Sequence, residues 1–453
     1  MSRKNRSGLS GPNLLNFLYH KSGEESMDAK EPLRSCSRVD QSKVRRKLEG
    51  GRRQICIPMT RDQYHAIWSD PAKVRSALLQ NIAANPELFP ANIAEGFSLT
   101  GMLPESCKQP GVRLRQLVTR DNTKWYLRPS FVTAYMTAQT QDLDFPLLLI
   151  SLGVPLWAIC HVFGRNEMYW YRIIEQMGRK SVVGTTVQLA EQLPDHLAAD
   201  EHHADWVGEK GYVAMTAAKG CILGINLTDE ADEAHLSVAY GVFAQEAKDL
   251  KADYQPKSVN TDGWWATQNA FVRLFPGIAI VLCFLHGFLK VRDRCFKEYE
   301  LHKKIWQVYD AISGADFRKR MEEFKTWFSA RTWKAYVVEM TSKLWKRTEE
   351  YSVAYDQPGC YRTSNQIDRP MNRIKRILYS GRGLHGHRVS SERHLRGVAL
   401  LNNFRPFAPR PNHQRESQCP AHQLSGKLYS TAWVENLLLA ASMNGYKNTP
   451  GKR

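Results

Sequence analysis

Three aspartates lie beside segments with the pattern of a strand or a helix, and they are the residues of this chain best suited to chemistry. Asp200 begins the segment DEHHADW, Asp262 follows the β-branched run SVNT, and Asp368 lies within TSNQIDRP. Carboxylate oxygens are the ligands that Mg²⁺ prefers. Acids on separate elements can share one divalent-metal site, so we expect Asp200, Asp262 and Asp368 to form it.

Neighbouring acids offer alternatives for two of these positions. Side chains on a strand alternate between its faces, so Asp200 should face away from Asp205 and Glu201, which share the other face. Glu201 and Asp205 are the alternatives to Asp200, and Glu392 is the alternative to Asp368. Pro370 follows Asp368 closely, and we expect the helix there to begin late or to bend.

Cysteine and histidine add a further pattern after the apolar segment 278–285, which predicts a strand that delivers Cys283 and His286. Two such residues without a second pair are a weak zinc pattern.

The segments around the aspartates predict a mixed α/β (α+β) fold. Between residues 191 and 290 we expect three antiparallel strands, a helix, a strand, a helix and a strand, which is the order of a ribonuclease H-like domain. The other predicted parts are a basic disordered arm (1–54), a small mixed α/β domain (55–140), a helix-turn-helix region (141–190), a helical insertion (291–360), a second part of the catalytic domain (361–405) and a linker with a C-terminal helix (406–453).

The helix-turn-helix prediction depends on two short helices on either side of Gly164. Ala158, Ile159, Val162 and Phe163 would form the inner face of the first helix, and the second would bury Trp170. An ordinary helical hairpin is the alternative. If the motif binds DNA, the residues facing the groove are Arg165, Asn166, Tyr169 and Arg172.

Charge favours a polyanionic partner. The 453 residues include 63 Lys and Arg against 45 Asp and Glu, which gives a net charge of +18 and favours nucleic acid first and a membrane surface second. The basic residues Arg369, Arg373, Lys375 and Arg376 follow Asp368, and we expect them to hold a DNA backbone; a solvated basic face is the alternative.

The nine cysteines have no paired spacing and no apolar run predicts a signal peptide or a membrane span, so we expect a cytoplasmic protein.

Taken in order, these motifs resemble the DDE/D transposases of bacterial insertion sequences, particularly the group related to Mutator-like elements. The resemblance covers about residues 190–405 and depends on ADE, TDGW, C-x-x-H and the motif Y-x-TSN-x-x-D. The sequence departs from that family at Asp368, since most members have Glu as the third acid.

The resemblance implies metal-dependent cleavage and joining of DNA by an enzyme with two Mg²⁺ ions, for which Mn²⁺ is an acceptable substitute. Asp200 would bridge both ions, Asp262 would bind one and Asp368 the other, while His286 would position the DNA or the scissile phosphate. The implied partners are double-stranded DNA, as element ends and target, and further copies of the chain, in a bacterial cytoplasm near the nucleoid. Two alternatives remain, a DNA-binding protein whose metal site has lapsed and a structure-selective nuclease.

Overall fold

The computed structural model describes residues 53–133, 137–409 and 416–446. It shows a mixed α/β protein with two mixed β-sheets and many helices. The predicted basic arm lies outside these residues except for its last two positions, and so do parts of the predicted linker and tail.

The first sheet lies within the predicted N-terminal domain and has the strand order β1-β4-β3-β2. The Asp121-Asn122 pair predicts a hairpin turn, and the chain does turn at Asn122, whose positive φ of 63° suits an asparagine. Asp70 followed by Pro71 predicts a capped helix over 71–84, which is present with the Asp70 side chain as its cap. The elements of this part are β1 (Gln54–Ile57), α1 (Arg61–Ile67), α2 (Pro71–Ala84), β2 (Phe97–Met102), β3 (Arg115–Thr119) and β4 (Lys124–Pro129).

Four helices follow and lead into the second sheet. They are α3 (Asp144–Ser151), α4 (Leu156–Phe163), α5 (Glu167–Met177) and α6 (Val182–Val187). The buried residues Ile159 of α4 and Trp170 of α5 belong to the same hydrophobic core as Ala198 and Met215 of the second sheet. The helical hairpin α4–α5 therefore has no separate core of its own.

The second sheet has the strand order β7-β6-β5-β8-β9. Its first three strands are antiparallel, and β8 and β9 add in parallel beside β5. This agrees with the predicted sequence of strands and helices between 191 and 290. The elements are β5 (His196–Trp206), β6 (Glu209–Ala218), β7 (Cys221–Thr228), α7 (Glu233–Leu250), β8 (Ser258–Thr261), α8 (Trp265–Leu274) and β9 (Ala279–Leu282).

The region predicted as a helical insertion is helical and packs around its own core. Aromatic residues at helical spacing predict packing rather than base stacking, and Phe317, Phe324 and Phe328 are indeed buried there, although Trp306 remains 42% exposed. The helices are α9 (Phe284–Arg294), α10 (Tyr299–Tyr309), α11 (Gly314–Ser329), α12 (Ala335–Trp345) and α13 (Thr348–Asp356).

The remaining helices are α14 (Asn365–Ser380), α15 (Arg388–Phe404), α16 (Pro420–Ser425) and α17 (Trp433–Ala440). Helix α14 begins before Asp368 and continues through Pro370, so the expected late start is wrong. The C-terminal helix docks onto the protein with Leu437 and Leu439 buried. Among the described residues, no helix combines the length and apolarity that a membrane crossing requires.

Helices α5 and α15 touch through two glycines. A Cβ atom on Gly178 would lie 1.7 Å from the carbonyl oxygen of Arg393, and one on Gly397 would lie 2.0 Å from that of Ile174. Any larger residue would force the two backbones apart. The second helix of the predicted DNA-binding hairpin is thereby fixed against the helix that follows α14.

Candidate metal and nucleic-acid site

Asp200 lies on β5, and Asp262 directly follows the neighbouring parallel strand β8. The last residue pair between β5 and β8 is Ala198 with Asn260. Two residues after each member of this pair comes an aspartate, Asp200 after Ala198 and Asp262 after Asn260. Adjacent strands run about 4.8 Å apart. The sheet therefore brings these two acids together, although 62 residues separate them in the chain.

The carboxyl of Asp200 is mostly buried beside other acids. Burial, followed by the negative charges of Asp262 and Glu201, raises the pKa of Asp200 to about 7, and Asp368 contributes in the same direction. A carboxyl under this repulsion favours either a proton or a cation. Asp262 and Asp368 thus both act electrostatically on Asp200.

Asp368 is connected to the sheet through Ser364, which belongs to the segment TSNQ, a sequence that predicts a helix cap. The Ser364 hydroxyl donates a 2.6 Å hydrogen bond to Oδ2 of Asp368 and receives one from the Cys283 thiol at 3.7 Å. The Cys283 amide in turn donates to the Thr261 carbonyl at 3.2 Å, directly before Asp262. This chain of contacts places α14 at the end of β8 and β9.

His286 lies on a helix rather than at the end of a strand. Strand β9 ends at Leu282 and α9 begins at Phe284, because a short apolar run does not distinguish the two structures. The neighbouring Cys283 thiol raises the pKa of His286, burial opposes this, and the charges of Asp368 and Asp200 raise it further. Its Nδ1 is buried without a hydrogen-bond partner among the described residues. His286 thus lies close enough to Asp368 and Asp200 for their charges to act on it.

The three alternative acids are bound by other residues of the protein, although Glu201 stays close enough to Asp200 to raise its pKa. Glu201 accepts hydrogen bonds of 2.5 Å from the hydroxyls of Tyr240 and Thr267, and burial raises its pKa. Asp205 is exposed and accepts from the Gly208 amide. Glu392 is buried and pairs with Arg388 at 2.9 Å.

The three aspartates do not form the tightest group of potential ligands. In the described part of the chain, the group whose ligand atoms all lie within 4.8 Å of one another is Glu230, Asp232 and His235. That group is explained by helix capping, since Asp232 accepts from the His235 amide at the start of α7.

The ligands of a pair of ions need not all lie within 4.8 Å of one another. With two ions about 4 Å apart and oxygen ligands about 2.1 Å from each, ligands of different ions can lie up to about 8 Å apart. A set made only of carboxylates, which repel one another when charged, fits hard divalent cations such as Mg²⁺. The donor set therefore fits the implied metal pair.

Arg347, at the start of α13, is a neighbour of the site that the sequence did not reveal. Its guanidinium lies 2.8 Å from the position a Cβ on Gly263 would take, and the charge of Asp262 helps to raise its pKa, after its hydrogen bond to Glu350. No local motif marks Arg347, because the helical insertion brings it to the site from 85 residues away.

The basic residues of α14 remain available to a polyanion. Arg369, Lys375 and Arg376 are exposed, and Arg373 is partly buried and donates to Asn402.

The sequence also predicts that the later arginines Arg382, Arg388, Arg393 and Arg396 extend this basic surface, but the last three are paired with acids. Arg388 binds Asp229 and Glu392, Arg393 binds Glu175, and Arg396 binds Glu246.

The helical hairpin places its four predicted DNA contacts at or near the surface. Arg165 and Arg172 are exposed, and the Arg165 guanidinium lies 5.2 Å from the centre of the partly buried Tyr169 ring. Asn166 caps α5 by accepting from the Tyr169 amide.

The predicted inner face of α4 is wrong in its last turn. Ile159 is buried, but Val162 is 68% exposed and Phe163 37% exposed. The contacts that cover Ile159 do not extend to the final turn of this eight-residue helix. The hairpin therefore presents apolar as well as basic side chains to solvent.

No protein-family model and no curated protein matches this chain.

Proposed function

We propose that this protein is a DNA transposase that binds the ends of its element and cleaves and joins DNA strands with the help of divalent metal ions. The observation that carries the proposal is the convergence of Asp200, Asp262 and Asp368 at one end of the five-stranded sheet. It is supported by the matching register of Asp200 and Asp262 and by the contact chain from Cys283 through Ser364 to Asp368.

The sheet supports assigning this part of the protein to the ribonuclease H-like fold. Three antiparallel strands continue into two parallel ones, with the first strand central and helices between β7, β8 and β9. In an open sheet, sites form beyond the carboxyl ends of parallel strands. Asp262 and Cys283 follow two such ends.

Asp200, Asp262 and Asp368 would hold two Mg²⁺ ions, or Mn²⁺ in their place. The ions supply activation of the attacking oxygen and stabilisation of the leaving oxygen in phosphoryl transfer. Ser364 orients Asp368, and burial keeps Asp200 fixed on the strand. His286 lies where it can position the DNA or its scissile phosphate.

DNA would contact two surfaces that are basic and exposed. One is the helical hairpin with Arg165, Asn166, Tyr169 and Arg172, proposed as a helix-turn-helix. The other is the face of α14 with Arg369, Arg373, Lys375 and Arg376. Because transposition requires two element ends to meet, we propose that the chain acts as a homo-oligomer on bacterial DNA, in the cytoplasm at the nucleoid.

The decisive experiment is cleavage of DNA that carries the ends flanking the coding region. We expect Mg²⁺-dependent nicking and transfer to target DNA by the wild type, and no reaction by Asp262→Asn. The control is Asp253→Asn, which changes an exposed aspartate on the loop before β8. Equal activity in wild type and Asp262→Asn would refute the proposed site.

The same assay separates the rival functions. Tight DNA binding without cleavage at any Mg²⁺ or Mn²⁺ concentration would indicate a lapsed enzyme that binds DNA. Hydrolysis without joining, and without dependence on the terminal sequence, would indicate a structure-selective nuclease.

A further inference from the structure

A cluster of three arginines lies where α14, the end of α15 and the turn between α3 and α4 meet. Arg373 donates from Nη1 to the side-chain oxygen of Asn402 at 3.0 Å, and Arg405 donates from Nη1 to the Ser151 carbonyl at 3.2 Å. Arg376 packs against Gly153, and a Cβ added to Gly153 would lie 3.3 Å from the Cβ of Arg376. Two of these residues, Arg373 and Arg376, were predicted DNA contacts, whereas Arg405 was not.

The cluster carries positive charge without a compensating acid. Within the described residues none of the three guanidinium groups forms an ion pair, in contrast to Arg388, Arg393 and Arg396 of the same region. Burial, followed by the charges of Arg373 and Arg376, lowers the pKa of Arg405 to about 10. Burial and the charges of Arg376 and Arg369 also lower the pKa of Arg373. These arginines repel one another in the free protein.

Such an arrangement is suited to an anion with several oxygens. Guanidinium groups bind phosphate oxygens through paired N–H donors, and they remain charged at every physiological pH. The neutral acceptors Asn402 and Ser151 orient Arg373 and Arg405 without neutralising them. An arriving phosphate would relieve the mutual repulsion, and this gain would add to its binding free energy.

We propose that Arg373, Arg376 and Arg405 form a binding site for one backbone phosphate of duplex DNA. The inference builds on the proposed function, and it adds Arg405 and a defined position for the bound strand. Arg376 follows Asp368 by eight residues, or about 12 Å along α14, and Gly153 lies just before the hairpin α4–α5. The site would therefore hold the duplex between the hairpin and the acids.

The test measures the salt dependence of binding of the full chain to a 30-base-pair duplex by fluorescence anisotropy. Each lost phosphate contact lowers the slope of log K against log salt by about 0.9. We expect the double variant Arg376→Gln/Arg405→Gln to show a slope smaller by about 1 and weaker binding at low salt. Arg405→Lys should restore part of the affinity because it keeps the charge.

The matched control is Arg75→Gln on α2. Arg75 is exposed like Arg376 and, like Arg405, donates to a backbone carbonyl, that of Phe97 at 3.0 Å, but it belongs to the first sheet region. It should leave the slope unchanged, and near-native thermal unfolding of each variant shows that the fold is intact.

The outcomes separate this site from the proposed function. An unchanged slope in the double variant would overturn the phosphate site while leaving the function standing. A reduced slope in a protein that never cleaves DNA would support the site and refute the enzyme. If the double variant lost stabilisation by inorganic phosphate but kept the DNA slope, the cluster would be a site for free anions and the assignment to DNA would be overturned. Failure of the wild type to bind any duplex would overturn both the phosphate site and the proposed function.

Discussion

The hydroxyl of Ser364 donates a 2.6 Å hydrogen bond to Oδ2 of Asp368 from one turn earlier in the chain. The same hydroxyl accepts from the Cys283 thiol, so one small side chain connects the third acid to the end of β9. The sequence suggested a helix cap at TSNQ, but the Ser364 side chain makes no capping bond to a backbone amide. It orients a carboxylate instead.

Replacing Ser364 tests this role. Since a hydrogen bond to a charged group contributes about 1.5–3 kcal/mol, we expect Ser364→Ala to slow Mg²⁺-dependent cleavage about tenfold or more with little change in unfolding temperature. The control is Ser380→Ala at the other end of α14, where the hydroxyl bonds only to the Ile377 carbonyl. Equal rates for the two variants would contradict an orienting role for Ser364.

The ionisation of Asp200 should couple stability to pH and to metal. Its pKa is raised from 3.8 to about 7, so its contribution to stability is complete below pH 3.8 and is lost as the pH rises through 7. That shift corresponds to at most about 4 kcal/mol. We therefore expect Asp200→Asn to be more stable than the wild type at pH 9 and equal to it near pH 3, as measured by urea unfolding.

Magnesium should reverse this order at high pH, because cations stabilise the charged form of Asp200 that the variant lacks. Adding Mg²⁺ at pH 9 should raise the stability of the wild type more than that of Asp200→Asn, and Asp253→Asn should respond like the wild type. The same Mg²⁺ increment in Asp200→Asn and the wild type would exclude Asp200 as a ligand.

Gly263 offers a test of the turn after Asp262. It has a φ of +103°, and an added Cβ would lie 2.8 Å from the Arg347 guanidinium. Gly277 is a matched control, since its φ is +85° and nothing lies within 4 Å of its Cβ position. Both alanine variants should lose about 1–3 kcal/mol of stability through backbone strain.

Only Gly263→Ala should also impair catalysis, because it displaces Arg347 from the neighbourhood of Asp262. Cleavage rates at saturating Mg²⁺ provide the measurement. If Gly277→Ala reduced the rate as strongly, the effect would come from general destabilisation rather than from the turn.

The buried pair of Arg396 and Glu246 should support the fold rather than DNA binding. Both side chains are less than 10% exposed and meet at 2.5 Å. Arg396→Met should cost about 3–5 kcal/mol because Glu246 is left buried without its partner, and it should not change the salt dependence of DNA binding. Lys375→Met, at an exposed position on α14, should leave the stability unchanged and reduce the salt dependence of DNA binding. A change in that salt dependence in Arg396→Met would contradict the structural role of Arg396.

The sequence predicted the second sheet well because its signals are local. Alternation along β5, the Lys219-Gly220 turn and the strand before Asp262 can each be recognised in a short window, and they give the observed order of elements. The positions of Asp200 and Asp262 follow from that order alone.

Contacts between distant segments could not be predicted in the same way. Arg396 was expected on a DNA-binding surface, yet its partner Glu246 lies 150 residues earlier. The prediction that Val162 is buried is wrong for a similar reason. An apolar residue on a helix does not show whether the neighbouring element extends far enough to cover it. His286 was misplaced because four to eight apolar residues predict a strand or a helix equally well.

The glycine contact between α5 and α15 bears on how the protein would handle its substrate. With Gly178 and Gly397 in backbone contact, no flexible tether separates the hairpin from the domain that carries the aspartates. A DNA duplex bound by the hairpin would reach the metal ligands at a fixed distance from the hairpin, because the packing between the two is rigid. The position of the cut relative to the recognised sequence would then be built into the protein itself.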